Sequence, residues 1–560
     1  EALVIANGLL TGFPVPTACK TSLLFRSPLT GVLGESSVGG KFGARLKRTG
    51  FDGLIVKGRC ERPSYLFVSE QGVELRDAAH LWGLDTFAAH DKLQAELPKG
   101  AQIGLIGPAG EREVLFASMM FEGQFPRAAG RTGIGCVLGR KRLKAIAVHG
   151  EIKPQAHDQQ ALTAYVRELN QSIKQAAAGL SKFGTAGAVA RREVSGDLPI
   201  KNWALGSWEG AAKISGQVYA DEMLFKNAAC FACPIACGKQ VELKHGKHAG
   251  LRANQPEYES TGALGSNLLI DSPEDLTVSN MLCNKLGLDT ISAGVLLSFL
   301  FECCERGIVK MDDPQLEGVK PQWGDGEATH KLIEMIANRR GIGDLLADGV
   351  RIAAKRLGGG SEHFAVHSKG LELPMHDPRA TVSSAATYAT GNRGGSHNES
   401  FAHYLDEGLK IDDMDFPENI EIYTSQNKGR ITARMQEFNS VFDALGLCKF
   451  LLSGGVRKPQ MIKMIELVFG WKYDDRELMQ VGDRIYTLKR MYLQRLGISA
   501  ADDTLAGRVL LDRRGTGNAG DVLPDLELML GELYAERGWD AQGRVLPEHA
   551  SQLNLERYLE

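Results

Sequence analysis

Cys230, Cys233 and Cys237 stand in the run Cys-Phe-Ala-Cys-Pro-Ile-Ala-Cys, a C-x2-C-x3-C spacing. Two loops this short let three thiolates converge on one face of a small iron–sulfur cluster, which then needs a fourth ligand. Cys448, at the end of Asp443-Ala444-Leu445-Gly446-Leu447-Cys448, is the candidate. The competing reading is a structural zinc knot, which calls for a second close Cys/His pair. Downstream come His245 and His248, but they sit in the basic run Lys-His-Gly-Lys-His, better suited to solvent than to a metal. The spacing favours a cluster over zinc.

Two glycine-bearing stretches, residues 36–43 (SSVGGKFG) and 127–135 (RAAGRTGIG), could bind an anion. Glycine lets a backbone approach a phosphate closely, its N–H groups donate, and arginine grips phosphate with two parallel bonds. Neither is a P-loop. The run from Gly133 to Gly139 falls short of a dinucleotide fingerprint, because it follows an arginine loop rather than a strand and carries one residue too many before the last glycine. Taken singly, each stretch reads as an ordinary glycine turn. Pro-Glu-Tyr-Glu at 256–259 and Gly-Gly-Ser-His at 394–397 offer a carboxylate and an imidazole, a pair able to move a proton and polarise a carbonyl if brought together. By sequence alone the acid is as well explained as a helix-start residue and the histidine as a surface one.

The elements that must position these groups come from the rest of the chain. At 560 residues the chain exceeds one compact core, so two or three domains are expected. Apolar residues at 43% and charged ones at 24% are those of a globular protein, and 65 basic against 68 acidic side chains give no sign of a nucleic-acid or anionic-membrane partner. Ten cysteines are too few for a disulfide scaffold, which points to a reducing, cytoplasmic setting. The longest apolar run, 291–301, is too short to span a bilayer and reads as a buried helix. Up to residue 150, short apolar runs at 22–25, 53–56, 64–68, 102–106 and 145–148 alternate with glycine and predict a β-rich region, with one helix near 86–97. After Pro154 the spacing turns helical, at 159–178, 276–286, 290–306, 328–339, 344–357, 431–445 and 458–469, with Asp275 and Asp344 as capping signals. Residues 312–325 read as a surface loop.

In this order the motifs resemble the tungsten-dependent aldehyde:ferredoxin oxidoreductase family. They include Ser-Pro-Leu-Thr-Gly at 27–31, Ile-Gly-Pro-Ala-Gly-Glu at 106–111, Arg-Ala-Ala-Gly-Arg at 127–131, the cysteine triplet, Pro-Glu-Tyr-Glu, Asn-Lys-Leu-Gly-Leu-Asp at 284–289, Asp-Pro-Arg at 377–379, Gly-Gly-Ser-His and the run ending at Cys448. Each is weak alone, but so many in one order cover almost the whole chain. The resemblance implies an α+β fold: a β-rich pterin-saddle domain over 1–152, a helical domain with the cysteine triplet over 153–368, and a second helical domain over 369–560 with the active-site histidine and the fourth cysteine. It also implies β-domain sequence ahead of Glu1.

Carried over residue by residue, the resemblance implies tungsten, or molybdenum on the same dithiolenes, held by two molybdopterins. A [4Fe-4S] cluster would sit on Cys230, Cys233, Cys237 and Cys448. Arg127, Ala128, Gly130 and Arg131, with Ser37 and Gly39, would bind pterin phosphates, and Ser37 stands where an asparagine usually offers its carbonyl to a bridging Mg2+. Lys20 replaces a usual arginine, keeping the charge and losing the planar fork. Asp443 and Leu447 match one pterin-binding motif, and Asn284 and Asp289 match the other, with asparagine in place of its leading aspartate. Glu259 corresponds to the acid near the metal and His397 to the active-site histidine. His397 would hydrogen-bond the aldehyde oxygen while Glu259 accepts a proton, and electrons would leave singly through the cluster to ferredoxin or an iron–sulfur subunit.

Two departures qualify the transfer. An interface iron site of the founding type falls on Val278 and Met281, which cannot ligate iron, so any oligomer is expected to lack a bridging metal. A usual lysine two places after the histidine is Glu399, a charge reversal close to the pocket. Three readings remain: oxidation of a small aldehyde to its acid, favoured because both catalytic motifs are retained; a reductive reaction on an activated aromatic acid; and an electron-transfer subunit without turnover.

Overall fold

The computed structural model describes residues 2–417 and 419–559. The fold is α+β, with 45% of residues in helices and 13% in strands, and the strands concentrate in the first 150 residues. A four-stranded antiparallel sheet runs in the order Leu33–Val38, Thr21–Arg26, Leu3–Asn7, Gly53–Val56. A six-stranded sheet lies beside it, in the order Gly72–Asp77, Ser64–Ser69, Leu143–Val148, Gln102–Ile106, Met119–Phe121, Arg127–Ala129. Leu143–Val148 is buried at every position, its apolar residues serving both faces of the sheet and its one charge, Lys144, paired with Glu111. On one face the two sheets share a core of Leu3, Ile5, Phe25, Phe42, Phe121 and Ile146. The other face of the larger sheet is covered by the helix Thr86–Glu96, whose Leu93 meets Phe67, Ile103 and Ala147. Asp85 caps that helix, its carboxylate accepting from the Phe87 and Ala88 N–H groups.

Thr290–Glu305 is the most enclosed of the helices, buried from Ile291 through Cys304, as its apolar sequence requires. The core around it draws on residues from Leu29 to Leu555, so both helical stretches of the chain share one interior. Lys428–Leu445 packs against Asp475–Arg495 and Leu526–Glu536, and glycines set the closest approaches. A Cβ on Gly482 would lie 2.1 Å from the Glu437 carbonyl, and one on Gly429 would lie 2.0 Å from the Met529 carbonyl.

Several sequence expectations change. The stretch 344–357 is two helices, Ile342–Leu346 and Val350–Leu357; the first ends at Ala347, and Gly349, with φ of +87°, turns the chain into the second. Ser272, not Asp275, caps Pro273–Leu286, and Asp344 lies within its helix; an acid in the first turn favours the helix dipole and mimics a cap in sequence. Residues 312–325 form a mostly exposed surface loop, as expected, carrying a 3-10 turn at Pro314–Leu316 and pinned by buried Leu316 and Val319. The arginine loop is a short edge strand, Arg127–Ala129. Asp475–Arg495, the longest helix at 21 residues, is mostly polar and its core stripe is thin, which hid it from a search for apolar periodicity. Among the described residues no helix is long and apolar enough to cross a membrane.

A Cβ at Gly139 would sit 1.9 Å from the Gly110 carbonyl, where two short helices touch, whereas one at Gly531 would meet nothing within 4 Å. Gly139→Ala is expected to cost about 1–3 kcal/mol through overpacking. Gly531→Ala, inside the helix Leu526–Glu536, should gain about 0.5–1 kcal/mol. Thermal midpoints of the two variants should therefore move in opposite directions.

Candidate functional site

A cavity of about 900 Å³ opens between the β-rich region and the helices. One strap of chain organises it. Residues 8–20 run from the first strand toward the cysteine loop and bind the far end of the chain on the way: the Leu9 and Leu10 N–H groups donate to the carbonyls of Ala444 and Leu445, and that of Lys20 donates to Gly446. Ala18 bridges Leu447, the Thr17 N–H donates to the Ala232 carbonyl, and the Cys448 N–H donates to the Thr17 hydroxyl at 3.1 Å. The approach demands glycine at both crossing points. A Cβ on Gly8 would lie 2.0 Å from the Gly446 nitrogen, and Gly446 has φ of +73°.

The strap delivers Cys448 to the triplet, and all four cysteines line the same end of the cavity as free thiols. Ala232 and Ala236, at φ of +50° and +52°, curl the triplet loop. The Phe231 N–H donates to the Gly40 carbonyl, which ties the loop to the first glycine stretch, and a Cβ on Gly39 would come within 3.1 Å of the Cys230 sulfur. A hydrogen bond from Cys19 lowers the Cys230 thiol well below its usual range against the pull of burial, helped by Arg127 and Lys20. Burial raises Cys448, Cys237 and Cys233, the last to about 11. Four convergent sulfurs with two cations beside them are a donor set suited to an anionic cluster. Burial opposes a charge on Lys20, yet Cys448, Cys19 and Cys230 hold its proton and leave its pKa raised, a charge role that the lysine-for-arginine exchange preserves.

Along the next wall lie Ser37, Arg127, Ala128, Gly130 and Arg131. Arg127 faces Glu257 at 3.5 Å, and Gly238 makes room for it: a Cβ there would fall 2.2 Å from its guanidinium. Arg131 pairs with Asp289 at 3.0 Å and donates to the Glu372 carbonyl. Asp289 also caps Thr290–Glu305, accepting from the Ile291 and Ser292 N–H groups, so it acts on the wall mainly by fixing Arg131. Asn284 and Asp443 reach the cavity from helix ends, Asp443 paired with Lys449 at 2.9 Å, and Leu447 closes the floor. Arginines and lysines outnumber carboxylates in the lining, and a wall of this charge suits a ligand bearing phosphates. Gly135 and Gly139 do not face the cavity lining; they are packing glycines, whose Cβ atoms would meet the carbonyls of Ser118 and Gly110.

Glu259 and His397 meet at the centre. Glu259 enters in the first turn of Tyr258–Leu264, and its Oε2 accepts from the Met375 N–H at 2.7 Å. Its Oε1 lies 3.4 Å from His397 Nδ1, and both atoms are buried without a hydrogen-bond partner, aimed into the same space. Asn398 donates to His397 Nε2 at 3.2 Å, which places the ring proton on Nδ1. Burial alone would raise Glu259, but His397, His376 and the Met375 N–H bring it down to about 2. Burial, against the pull of Glu259, takes His397 down to about 3, with His376, Arg131 and Arg393 adding to it. The resting centre is therefore a carboxylate facing a neutral imidazole.

The residues expected to hold the cluster and the pterins, together with Glu259 and His397, all line this cavity, whereas His245, His248, Val278 and Met281 do not, and some of its working groups carried no signal in the sequence. His376 touches Glu259, yet it directly precedes the Asp-Pro-Arg motif and carried no spacing signal of its own. Glu399, the charge reversal, pairs with Arg393 at 3.1 Å, and Lys489 pairs with Glu35 at 2.6 Å nearby. Glu35, pushed up by burial, is nevertheless drawn down to about 2 by Lys489 and Arg393. Burial leaves Glu399 raised despite Arg393 and Lys489. Val278 is buried and Met281 half-buried on the helix Pro273–Leu286.

The family model described as "Aldehyde ferredoxin oxidoreductase, N-terminal domain" matches residues 1–150, and "Aldehyde ferredoxin oxidoreductase, domains 2 & 3" matches residues 161–555. A tungsten-containing aldehyde ferredoxin oxidoreductase of Pyrococcus abyssi is 36% identical, over 100% of this chain and 90% of that protein. The WOR-like subunit of an aliphatic sulfonate oxidoreductase of Pyrococcus furiosus is 32% identical over 71% of this chain and 66% of its own length. The active-site complex BamBC of benzoyl coenzyme A reductase with 1,5-dienoyl-CoA shares the fold at a TM-score of 0.83 and 23% identity, over 100% of this chain and 89% of that one.

Removing Lys489 would leave Glu35 and Glu399 with Arg393 as their nearest cation. Lys489→Met is expected to cost about 3–5 kcal/mol at pH 8, the usual penalty for stranding a buried charge. Glu399 is raised in the folded state, so the native protein takes up a proton there more readily than the unfolded chain, and stability returns as pH falls. Denaturation of this variant should accordingly show a smaller deficit at pH 5.5 than at pH 8.

Proposed function

The chain belongs to the aldehyde ferredoxin oxidoreductase family, and from that premise we propose that it oxidises an aldehyde to a carboxylic acid with a tungsten–bis-pterin centre and a [4Fe-4S] cluster. What supports the reading is one cavity that gathers four thiols, a cationic wall and a carboxylate–imidazole pair. Cys230, Cys233, Cys237 and Cys448 would hold the cluster; Arg127, Ala128, Gly130, Arg131, Ser37 and Gly39 would hold pterin phosphates with their Mg2+; Lys20, Asn284, Asp289, Asp443 and Leu447 would line the pterins. Bound there, these groups supply a two-electron acceptor and a one-electron exit toward ferredoxin or an iron–sulfur subunit.

The chain's own residues handle oxygen and protons. His397 donates from Nδ1 to the aldehyde oxygen, a bond that strengthens as negative charge builds on that oxygen inside a dry pocket. Being neutral, His397 stabilises that charge without surrendering its proton. Glu259, ionised and one oxygen free, takes the proton lost by the attacking oxygen as it bonds to the carbonyl carbon. The Met375 N–H keeps the carboxylate from rotating away, and Arg393, held by Glu399, stands behind the histidine turn, donating to Ser396 at 2.7 Å.

Protein purified without air should contain about one tungsten and about four irons per chain by plasma mass spectrometry. Zinc alone, from a host able to make the pterin, would return the cysteines to a structural role. Glu259→Gln should keep both metals and lower kcat for aldehyde-dependent viologen reduction by about 10²–10⁴-fold. Near-normal turnover would take Glu259 out of the mechanism, and a wild-type enzyme that oxidised alkanesulfonates but no aldehyde would move the substrate to that of the sulfonate relative.

A further inference from the structure

Oxidation of an aldehyde by water, RCHO + H2O → RCOO⁻ + 3 H⁺ + 2 e⁻, sheds more protons than Glu259 alone can store. Behind Glu259 stands a histidine with no part in the mechanism so far. His376 is 2% exposed; its Nε2 lies 3.3 Å from Glu259 Oε1, and its Nδ1 lies 2.8 Å from Asp197 Oδ2. Asp197 is itself fixed: its other oxygen accepts from the Thr381 hydroxyl at 2.8 Å, and its backbone carbonyl accepts from the Asp377 N–H. This is the arrangement in which one carboxylate orients an imidazole toward a second.

The remaining charged and titratable neighbours keep the ring in balance. Arg192 lies against it, one guanidinium nitrogen 3.0 and 3.2 Å from the two ring nitrogens, and opposes the attraction of Asp197 and Glu259 for an imidazolium. The rings of Tyr258, His397 and His403 stand 5.1, 5.3 and 4.2 Å away, and the Tyr388 hydroxyl donates to the His376 carbonyl. Burial and the positive charges of His376 and Arg192 push His403 well below its usual range, so it stays neutral. Ligand atoms of His376, His403 and Glu407 all lie within 4.8 Å of one another. Glu407 in turn pairs with Arg192 at 2.8 Å and with the exposed Arg191 at 2.6 Å, at the cavity edge.

We propose that His376 is a proton-relay residue, positioned by Asp197, that takes protons from Glu259 and passes them by His403 toward Glu407 at the cavity edge. No bond other than those to hydrogen changes in this step. The resting imidazolium of His376 first releases its proton toward His403 and Glu407; the neutral ring then takes the proton from the Glu259 carboxyl, Glu259 returns to the carboxylate, and the electrons go separately to the external acceptor. The inference rests on the aldehyde-oxidation reading for its proton count, but the Glu259–His376 contact exists without it.

The test compares anaerobically purified holoenzyme with His376→Gln and Asp197→Asn, after tungsten and iron contents are shown to match. In the mutants kcat should fall at least about tenfold with KM little changed, the acid limb of the pH profile should shift, and added imidazole should restore part of the rate of His376→Gln. A second readout needs no turnover: infrared difference spectra of enzyme carrying ¹⁵N-histidine, titrated from pH 5 to 9, should contain an imidazolium band that His376→Gln removes and Glu259→Gln displaces. Wild-type rates and pH profile in both variants, or no such band in the resting wild type, would overturn the relay. If the wild type oxidises no aldehyde, the infrared titration decides the relay by itself while the aldehyde reading fails.

Discussion

The structure depends on a crossing that brings two ends of the chain within one hydrogen bond of each other. Residues 8–20 hydrogen-bond to 444–446 on one side and to the triplet loop on the other, with bare glycine backbones at Gly8 and Gly446 in contact where any side chain would intervene. Because the strap continues directly into the strand Thr21–Arg26, the sheet that carries Ser37 is registered against the cysteines by the same bonds.

A second constraint follows from the size of the cavity. About 900 Å³ of space lined by ionised groups cannot be left with unpaired charge, since each buried ion without a partner costs several kcal/mol. The wall meets this by pairing across elements: Arg131 with Asp289, Arg393 with Glu399, Lys489 with Glu35, Lys449 with Asp443. The charge reversal at Glu399 is accommodated in the same way, with Arg393 in contact and Lys489 close by. Such pairs fix geometry more than they add stability, and they hold the guanidinium of Arg131 toward the cavity.

At the centre, competing influences set the protonation state of each group. Burial alone would neutralise Glu259 and Asp197; His397, His376 and the Met375 N–H keep Glu259 ionised, and His376, Arg192 and the Thr381 hydroxyl keep Asp197 so. Burial alone would also neutralise His376, but it lies between those two carboxylates and its pKa is raised, while His397 and His403, with less carboxylate around them, stay neutral. Three buried histidines in ring contact thus hold different charges, and this difference lets one donate a hydrogen bond while its neighbour carries a proton.

The sequence by itself determined what is local. Residues 145–148 and 291–301 are apolar enough to have nowhere to go but the interior, and the C-x2-C-x3-C spacing brings three thiols together whatever the fold. Motif order added the remote partners Cys448, Glu259 and His397. Helix breaks at Gly349 and caps such as Ser272 were blurred, because an acid in a first turn and an acid at a cap leave the same trace. Tertiary structure alone decided which isolated residues become neighbours. Asp197, His376 and Glu407 are far apart in the chain and belong to no pattern, and their chemistry comes from distances of a few ångströms that long-range packing sets. The same holds for Glu399: its sequence announces a reversed charge, but only the fold shows the cation that meets it.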